Sequence, residues 1–389
     1  MNKETVVGVL GAGTMGSGIA QVAATYGHEV KLFDVSTSAL DKARTGHLRI
    51  FKRLVEKGRM EAGEAEACGS RISYVSELDA LAPCGFVIEA IVENLKIKQD
   101  IFQKLEALTG PTSFLASNTS SLSIASIGAA CEHSERVLGV HFFNPAPLMP
   151  LVEIIPGIAT SDEAVTTVRN LIDAWGKKTV LAKDTPGFIV NRVARPFYGE
   201  AIRQLEEGVA DAATIDWAMR EIGGFRMGPF QLMDFIGNDI NLKVTETVFQ
   251  AFFYDPRYRP SFTQQRLVEA GRLGRKSGQG YYNYSEDATT PAPVEDPQLG
   301  EAIFSRILVM LINEAVDAVF LNIASAEDVD LAMTKGVNYP KGLLSWANER
   351  GLDKVLSQLQ ELQEEYGEDR YRPSPLLKRM VRQNKRFFE

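Results

Sequence analysis

The sequence predicts an α/β domain built on a mostly parallel sheet, followed by a mainly helical region that consists of two repeated units. Two observations carry this prediction. Short β-rich runs alternate with helical segments up to residue 183, whereas helical periodicity dominates from residue 184 onward. Within the second half, the segment that begins at residue 192 recurs at residue 306, an offset of 114 residues. At 389 residues, the chain is also too long for one ordinary domain.

Composition and charge exclude several classes of function. A net charge of −8 argues against nucleic acid as the main partner. No apolar run is long enough for a membrane helix, and the N-terminus lacks the layout of a signal peptide. The three cysteines are scattered and fit neither a metal spacing nor a disulfide framework, so we expect a cytoplasmic protein without a metal site.

A glycine-rich turn separates the first strand-like run, residues 5–10, from the first helical segment, which ends at Gly27. Gly11, Gly13 and Gly16 follow the spacing GxGxxG. In a dinucleotide site, the first glycine permits a tight turn, the second lets the backbone approach a pyrophosphate, and the third lets the helix pack closely on the strand. The strand–turn–helix context therefore predicts a Rossmann-type dinucleotide site rather than a glycine-rich turn without a ligand.

The second strand-like run ends at Asp34, at the distance expected for the acid that binds the adenine ribose. A 2′-phosphate would meet this carboxylate, and the sequence DVSTS that starts there supplies no arginine to offset it. The sequence therefore predicts NAD, rather than NADP, as the cofactor.

Further strands are expected at residues 85–93, 114–120, 136–143 and 151–157, with a helix from Asn94 to Leu108. Glu93, Ser120 and His141 fall at or near strand ends, where ligands gather in parallel sheets, and Glu153 lies in the last run. Each has a structural alternative: a helix cap for Ser120, a satisfied half-buried side chain for His141, and an exposed strand position for Glu153. Together they predict a base, an orienting carboxylate and a hydroxyl.

A basic segment runs from Lys42 to Arg59 and carries seven lysines and arginines against the single acid Glu56. Two interpretations stay open from the residues alone. The segment is either a solvated helix face or a binding site for a phosphate-rich ligand on an otherwise acidic protein.

A hinge is predicted at residues 181–193 (LAKDTPGFIVNRV), where Asp184 or Thr185 can cap a helix that has Pro186 in its first turn and runs to about Glu207. After the hinge, residues 192–224 align with residues 306–338, and the alignment pairs Glu200 with Glu314, Asp216 with Asp330, and Met219 with Met333. We infer a duplicated helical unit and predict domains at 1–183, 184–290 and 291–389. The second copy lacks a TPGFIVN hinge, so we expect it to be non-catalytic.

Seven motifs follow in order over residues 5–284: GAGTMGSGIAQVAA, EAIVENLKIKQDIF, SNTSSLSI, HFFNPAPLMPLVEI, KDTPGFIVNR, GPFQLMDFIG and GRKSGQGYYNY. With these motifs the chain resembles the L-3-hydroxyacyl-CoA dehydrogenases of fatty-acid oxidation and aromatic-acid (phenylacetate-type) degradation, in the bacterial long form with a duplicated C-terminal domain. The resemblance implies reversible, NAD-dependent oxidation of L-3-hydroxyacyl-CoA to 3-ketoacyl-CoA.

The resemblance also implies roles for matching residues. His141 is the general base that removes the 3-hydroxyl proton, and Glu153 orients it. Ser120 and Asn191 bind the reacting oxygen and the thioester region, with Asn191 reaching the site when the hinge closes. The cofactor residues are Gly11, Gly13, Thr14, Met15 and Gly16 at the turn, Asp34 at the ribose, and Glu93 and Lys98 on the nicotinamide side.

Lys57 matches a lysine near the CoA moiety, which favours a CoA site on the basic segment. Ile50 departs from the family pattern, because some relatives carry a substrate-contacting serine there.

Two further hypotheses come from the family. The second repeat can imitate the family's dimer within one chain, and a homo-oligomer stays possible. The alternatives are a dehydrogenase of a free hydroxy acid or sugar acid, as in crystallin-like relatives, and a non-catalytic NAD(H)-binding protein. The acyl chain, short or dicarboxylic, stays open.

Overall fold

An eight-stranded sheet forms the centre of the first of two units, which comprise residues 1–188 and 189–389. The computed structural model describes residues 1–389. The strands are β1 (Val7–Leu10), β2 (Val30–Phe33), β3 (Ile72–Val75), β4 (Phe86–Glu89), β5 (Phe114–Ser117), β6 (Val137–Phe142), β7 (Leu151–Pro156) and β8 (Lys178–Leu181). Their order in the sheet is β3-β2-β1-β4-β5-β6-β7-β8.

The predicted mostly parallel sheet is confirmed, since only the β6–β7 pair is antiparallel. All six predicted strands are present. The two strands that were not predicted, β3 and β8, are the two edges of the sheet. Their burial is mixed, whereas β1 and β4 are buried throughout, so an edge strand lacks the unbroken apolar run that marks a central parallel strand.

Six helices cover the sheet: α1 (Thr14–Thr25), α2 (Thr37–Glu56), α3 (Ala62–Ser70), α4 (Leu95–Leu108), α5 (Ile124–Gly128) and α6 (Asp162–Ala174). The helix expected from Asn94 is confirmed as α4, and the Asn94 side chain caps it by accepting a hydrogen bond from the Ile97 N–H. Apolar side chains of the strands and of α1, α2 and α6 form the core between these layers.

The predicted start of the hinge helix is wrong. Gly187 and Phe188 both have positive φ, 72° and 46°, which is incompatible with a right-handed helix. Helix α7 (Val190–Val193) begins only after them, and α8 (Arg195–Glu206) follows it. Asp184 caps a different helix, because its carboxylate accepts hydrogen bonds from the N–H groups of residues 124 and 125 at the start of α5.

The second unit is helical, as predicted. Its remaining helices are α9 (Ala212–Trp217), α10 (Pro229–Ile236), α11 (Asn238–Ala251), α12 (Phe262–Glu269), α13 (Pro297–Phe320), α14 (Ala326–Gly336), α15 (Leu343–Arg350), α16 (Leu352–Tyr366) and α17 (Pro375–Arg382). No helix of the chain is both long and apolar enough to cross a membrane. The boundary predicted at residue 290 stays a prediction.

The duplication is visible in two buried aspartates at equivalent positions. Asp216 accepts hydrogen bonds from the backbone N–H groups of residues 230–231, at the start of α10. Asp330 accepts them from residues 344–345, at the start of α15. Both acceptors and both pairs of donors are offset by the 114 residues of the sequence repeat, so the same local structure has been built twice.

The two copies are joined by reciprocal buried ion pairs. The Arg192 Nε donates to Glu314 Oε1 over 2.5 Å, and the equivalent Arg306 Nε donates to Glu200 Oε1 over 2.8 Å. Because Arg192 and Arg306 are equivalent, as are Glu200 and Glu314, each copy supplies an arginine to the other copy's glutamate. The arrangement has the reciprocity of a two-fold symmetric interface.

The tyrosine of each YRPS segment binds the same glutamate as the arginine of its own copy. Tyr258 donates its hydroxyl to Glu314 and Tyr371 donates its hydroxyl to Glu200, each over 2.5 Å. Burial raises the pKa of Glu314, but Arg192 and Arg257 outweigh it, so the net pKa lies below its usual value. The carboxylate is thus buried as an anion with cationic and hydroxyl partners.

We predict that Glu314→Gln destabilises the protein by about 3–5 kcal/mol, because it leaves two buried arginines without their shared carboxylate. Chemical denaturation measures the loss. The control is Glu301→Gln on the same helix, whose ion pair with Arg350 is solvent-exposed and should change the free energy of unfolding by less than about 1 kcal/mol. Equal effects of the two substitutions would contradict the account.

Acidification should remove the same stabilisation. The pKa of Glu314 is lower in the folded state than in the unfolded chain, so its contribution is complete above the unfolded value and is lost as the pH falls through the folded value. The Glu314→Gln variant should therefore show a weaker acid dependence of unfolding than the wild type.

Candidate active site

The centre of the site is a histidine–carboxylate pair on neighbouring strands. The antiparallel register of β6 and β7 places His141 directly opposite Glu153. The His141 Nδ1 lies 2.6 Å from Glu153 Oε2, and both side chains are buried, with 6% and 0% exposure. Because the carboxylate accepts the Nδ1 proton, the neutral ring keeps its lone pair on Nε2. Nε2 is therefore the atom that can remove a proton from a ligand.

Aromatic rings enclose the imidazole. The His141 ring lies 4.5 Å from the Phe143 ring and 5.8 Å from the Phe188 ring, measured between centroids. The backbone N–H of Phe142 donates to Asn118 Oδ1, at the end of the neighbouring strand β5. These contacts fix the end of β6, so the position of Nε2 is set by the sheet rather than by a loop.

Lys177 holds the loop between β6 and β7. Its Nζ donates to the carbonyl oxygens of Ala146 and Met149 over 2.5 and 2.9 Å. Burial lowers the pKa of Lys177 to about 8. Lys177 was not predicted, because a lysine in GKKTV carries no local sign of a buried contact about thirty residues away.

The turn after β5 is organised by Glu93. Its Oε1 accepts hydrogen bonds from the Thr119 hydroxyl at 2.5 Å and from the Ser120 N–H and the Ser121 hydroxyl at 3.2 Å each. The structural alternative for Ser120 is wrong, because the cap of α5 is Ser123. The Ser120 hydroxyl forms no hydrogen bond within the protein, so it can serve a ligand.

A buried ion pair lies beside Glu93, the residue that organises the turn after β5. Lys98, 1% exposed, donates to Glu89 Oε1 over 2.6 Å and lies 3.2 Å from Glu93 Oε2. Burial raises the pKa of Glu93, but Lys98 and the Thr119 hydrogen bond outweigh it, so the net pKa is lowered. Glu89 also accepts from the Ser117 hydroxyl. Glu89 was missed, although an acid inside the apolar run GFVIEA is itself a signal of a buried pair.

The glycine-rich turn has the geometry that a dinucleotide site requires. Gly11 has φ of 103°, and a Cβ on Gly16 would lie 1.8 Å from the Gly11 carbonyl oxygen, so both positions exclude side chains. A Cβ on Gly13 would meet nothing within 4 Å, so this glycine faces open space at the N-terminus of α1. Asp34 fixes the turn, since its Oδ2 accepts the Ala12 N–H over 2.7 Å.

A cavity of about 740 Å³ adjoins this turn and is lined by Gly11, Gly13, Phe33, Asp34, Val35, Ile91 and Ile97, among others. Its walls are mainly apolar, and the Asp34 carboxylate is one of its few charged groups. An adenine ring fits such apolar walls, and the carboxylate fits ribose hydroxyls. The residues present therefore fit the adenosine half of NAD.

The basic segment forms most of α2 and borders a second cavity, of about 450 Å³. Arg53, Lys57 and Arg59 line one side, and residues 144–148 of the loop after His141 line the other. Ile50, the position that departs from the family pattern, also lines it. The cavity thus lies between a cluster of cations and the loop that follows the candidate catalytic histidine.

His47, which the sequence analysis did not single out, lies at the floor of this cavity. Its Nε2 lies 2.8 Å from the Ser17 carbonyl oxygen, and its Nδ1 lies 2.7 Å from the Tyr74 hydroxyl. Burial lowers the pKa of His47, and the two contacts of its ring link α2 to α1 and β3.

Of the residues expected at the site, His141, Glu153, Ser120, Glu93, Lys98, Asp34 and Lys57 all belong to the first unit. Asn191 belongs to the second unit and lies in α7, where its carbonyl oxygen accepts a hydrogen bond from Arg195 Nε. Its role at the site stays a prediction.

Comparison with known protein families identifies both units. Residues 6–185 match the model of the 3-hydroxyacyl-CoA dehydrogenase NAD-binding domain. The model of the C-terminal domain of the same enzymes matches two segments, residues 187–284 and 303–386. The two matches to one domain agree with the duplication seen in the second unit.

Curated relatives and solved structures of similar sequence are also named as 3-hydroxyacyl-CoA dehydrogenases of particular substrates. The 3-hydroxyadipyl-CoA dehydrogenase of Escherichia coli is 39% identical, over 97% of both chains. A crystal structure of an E. coli 3-hydroxybutyryl-CoA dehydrogenase superimposes with a TM-score of 0.92 at 38% identity, covering 98% of this chain and 99% of that one. The (S)-3-hydroxybutyryl-CoA dehydrogenase of Ralstonia eutropha, 39% identical, covers 73% of this chain at a TM-score of 0.70, and 100% of its own chain is covered.

We predict that Asp34→Ala weakens NADH binding by about tenfold or more, because it removes a carboxylate acceptor for ribose hydroxyls and releases the turn at Ala12. The preference for NADH over NADPH should shrink as well, since the repulsion of a 2′-phosphate is lost. Fluorescence titration with both nucleotides measures the two effects. The control is Asp41→Ala on the exposed face of α2. Unchanged NADH affinity in Asp34→Ala would refute the assignment.

Proposed function

The chain belongs to the 3-hydroxyacyl-CoA dehydrogenase family, and from that premise we propose that it interconverts L-3-hydroxyacyl-CoA and 3-ketoacyl-CoA with His141 as the general base. The observation that carries this proposal is the 2.6 Å contact between His141 Nδ1 and Glu153 Oε2. It leaves Nε2 as the proton acceptor on a ring that cannot rotate freely. The cofactor is NAD, whose binding domain the first unit matches.

In the oxidation direction, His141 Nε2 takes the proton of the 3-hydroxyl group. The imidazolium that forms is stabilised by the buried Glu153 carboxylate, which has no solvent to screen it. In the reverse direction the same nitrogen returns the proton to the 3-keto oxygen. NAD, when bound, accepts the hydride from C3 of the substrate.

Two further side chains are assigned to the reacting oxygen. The Ser120 hydroxyl has no partner within the protein, which supports its use as a donor to the substrate, and Glu93 holds its backbone in place. Asn191 is assigned by the family resemblance alone. Donors of this kind stabilise charge that develops on the oxygen in the transition state.

The basic cluster is assigned to the CoA moiety. Arg53, Lys57 and Arg59 border one cavity with the loop after His141, so a ligand held there by its phosphates has its acyl end near the histidine. Arginine and lysine are the side chains that bind phosphate groups. A free hydroxy acid has no phosphate and makes no use of this cluster.

The test measures NADH consumption by the purified chain with acetoacetyl-CoA. Two parallel assays replace the CoA ester by free acetoacetate and NADH by NADPH. We expect rapid oxidation of NADH with the CoA ester alone. Activity on the free acid would instead support a hydroxy-acid dehydrogenase. NADH binding without turnover of acyl-CoA esters of several chain lengths would support a non-catalytic NAD(H)-binding protein.

We predict that His141→Ala lowers kcat in this assay by about 10²- to 10⁴-fold, the usual loss when a general base is removed. NADH should still bind with near wild-type affinity, because the glycine-rich turn and Asp34 are untouched. The comparison variant is His133→Ala, since the side chain of that histidine is exposed and pairs only with Glu135. Near-normal turnover by His141→Ala would defeat the assignment.

We predict that Lys57→Glu raises the KM for acetoacetyl-CoA by about tenfold and leaves the KM for NADH unchanged, because a phosphate contact becomes a repulsion. The effect should weaken as salt is added. Lys52→Glu is the control, since Lys52 lies in α2 only five residues before Lys57 but is 78% exposed and outside the cavity. An unchanged KM in Lys57→Glu would argue against CoA at this cluster.

A further inference from the structure

The charges of the two copies differ at one position of the duplicated unit. Under the 114-residue offset, Arg203 in α8 aligns with Asp317 in α13. Asp317 forms an ion pair with Arg257, the residue before the first YRPS segment. The residue before the second YRPS segment is Arg370, and in the place of that acid it has Arg203. Burial lowers the pKa of Arg203, and the nearby charge of Arg370 lowers it further. Two cations therefore lie close together where the equivalent residues form an ion pair.

A second arginine of the same region also lacks the acid of its equivalent. Arg372, in the second YRPS segment, pairs with Asp255 over 2.5 Å. The equivalent residue of the first segment is Arg259, whose exposed side chain forms neither an ion pair nor a hydrogen bond within the protein. After burial and Arg370, Arg259 is the other cation whose charge lowers the pKa of Arg203. The guanidinium groups of Arg203 and Arg259 are therefore close to each other.

Arg203 is largely buried without a well-placed anion. Its side chain is 12% exposed, and the one carboxylate oxygen within reach, Oε2 of Glu200, lies 3.9 Å from its Nε, beyond hydrogen-bond distance. The Glu200 carboxylate already accepts hydrogen bonds from Arg306 and Tyr371, over 2.8 and 2.5 Å. Removing a guanidinium from water is costly unless a hydrogen-bonded anion compensates its charge. Arg203 is therefore suited to a ligand that brings an anion of its own.

Arg203 and Arg259 line one cavity of about 310 Å³, which lies wholly in the second unit. This volume is at the lower end of the range for small-molecule sites. The other walls are mainly apolar and include the side chains of Tyr198, Ile202, Pro260 and Phe262. Such a cavity suits a small ligand that has an anionic end and an apolar body.

Glu206, which also lines the cavity, limits the charge of the ligand. Its Oε1 accepts hydrogen bonds from the hydroxyls of Ser261 and Thr263, over 2.5 and 2.7 Å, and it pairs with neither arginine. A phosphate group, with about 1.5 to 2 negative charges near neutral pH, is repelled by this carboxylate more strongly than a ligand with a single charge. A carboxylate also matches arginine, because its two oxygens accept two parallel N–H bonds. The cavity therefore favours a monocarboxylate over a phosphate.

We propose that Arg203 and Arg259 form a binding site for a small monocarboxylic acid. The carboxylate binds the two guanidinium groups, and the apolar body of the acid packs on the walls formed by Tyr198, Ile202 and Phe262. The site goes beyond the proposed function, since it lies in the second unit and uses none of the residues assigned to the oxidation of the acyl-CoA.

The test is a titration of the full chain with butyrate and benzoate, in which the NMR signals of the ligand report binding. Butanol, which has the carbon chain of butyrate without its charge, and inorganic phosphate are titrated in parallel. We expect saturable binding of both acids, no saturable binding of butanol, and weaker binding of phosphate. Neither NADH nor acyl-CoA is present, so the result does not depend on the proposed function.

Arg203→Met should weaken the binding of both acids by about tenfold or more, the usual effect of losing a hydrogen bond to a charged group. The control is Arg220→Met, since Arg220 pairs with its neighbour Glu221 and lies outside the cavity. Arg259→Met is a second variant that keeps the fold, because its exposed side chain has no bond within the protein to lose. It should weaken binding at an unchanged melting temperature.

Arg203→Asp separates binding from stability, because it introduces the residue of the other copy. It gives Arg370 the kind of ion pair that Asp317 gives to Arg257, so the melting temperature should stay the same or rise. It should nevertheless abolish the binding of both acids, because a second carboxylate would then line the cavity beside Glu206.

Three outcomes would overturn the inference: no saturable binding of either acid by the wild type, unchanged affinity in Arg259→Met or in folded Arg203→Met, or tighter binding of phosphate than of the acids. Loss of acid binding in Arg203→Asp at an undiminished melting temperature would support the site. Binding that survives this substitution would mean that the acids bind elsewhere, and would also overturn it.

Discussion

The hydrogen bond between His141 and Glu153 is the interaction on which the proposed chemistry depends, and one reversal of strand direction produces it. Six of the seven strand pairs are parallel, and parallel neighbours need a long crossover between them. Because β7 is antiparallel to β6, the connection is only residues 143–150. The short connection keeps its loop beside the histidine, where Lys177 ties it to the sheet. A single loop can therefore border both the proton acceptor and the cavity with the basic cluster.

Charge is distributed in opposite ways in the two units. In the first unit, the cations at the end of α2 and just after it stay exposed around a cavity, as a surface that binds phosphates requires. In the second unit, cations are buried and paired across the duplication, so that Glu200 and Glu314 each serve arginine and tyrosine partners from the other copy.

The sequence predicted the features that local patterns determine. The glycine spacing, Asp34 at a strand end and the cap at Asn94 are encoded within a few residues, and the duplication within one alignment. Features that depend on distant contacts were not predicted. Lys177 binds carbonyls about thirty residues away, and the edge strand β3 lacks an unbroken apolar pattern. The left-handed backbone at Phe188 delays the start of the hinge helix from the predicted first turn at Pro186 to Val190. Glu89 could have been predicted, since an acid in an apolar strand needs a buried partner such as Lys98.

The most direct measurement of the central claim is the pH dependence of kcat/KM for Glu153→Gln with acetoacetyl-CoA and NADH. The amide preserves the size of the side chain but cannot stabilise an imidazolium as a carboxylate does. The account predicts a loss of about tenfold or more in kcat/KM, a shift of the half-maximal pH, and unchanged NADH binding. A rate and a pH profile equal to those of the wild type would contradict it, because the 2.6 Å contact would then be structural only.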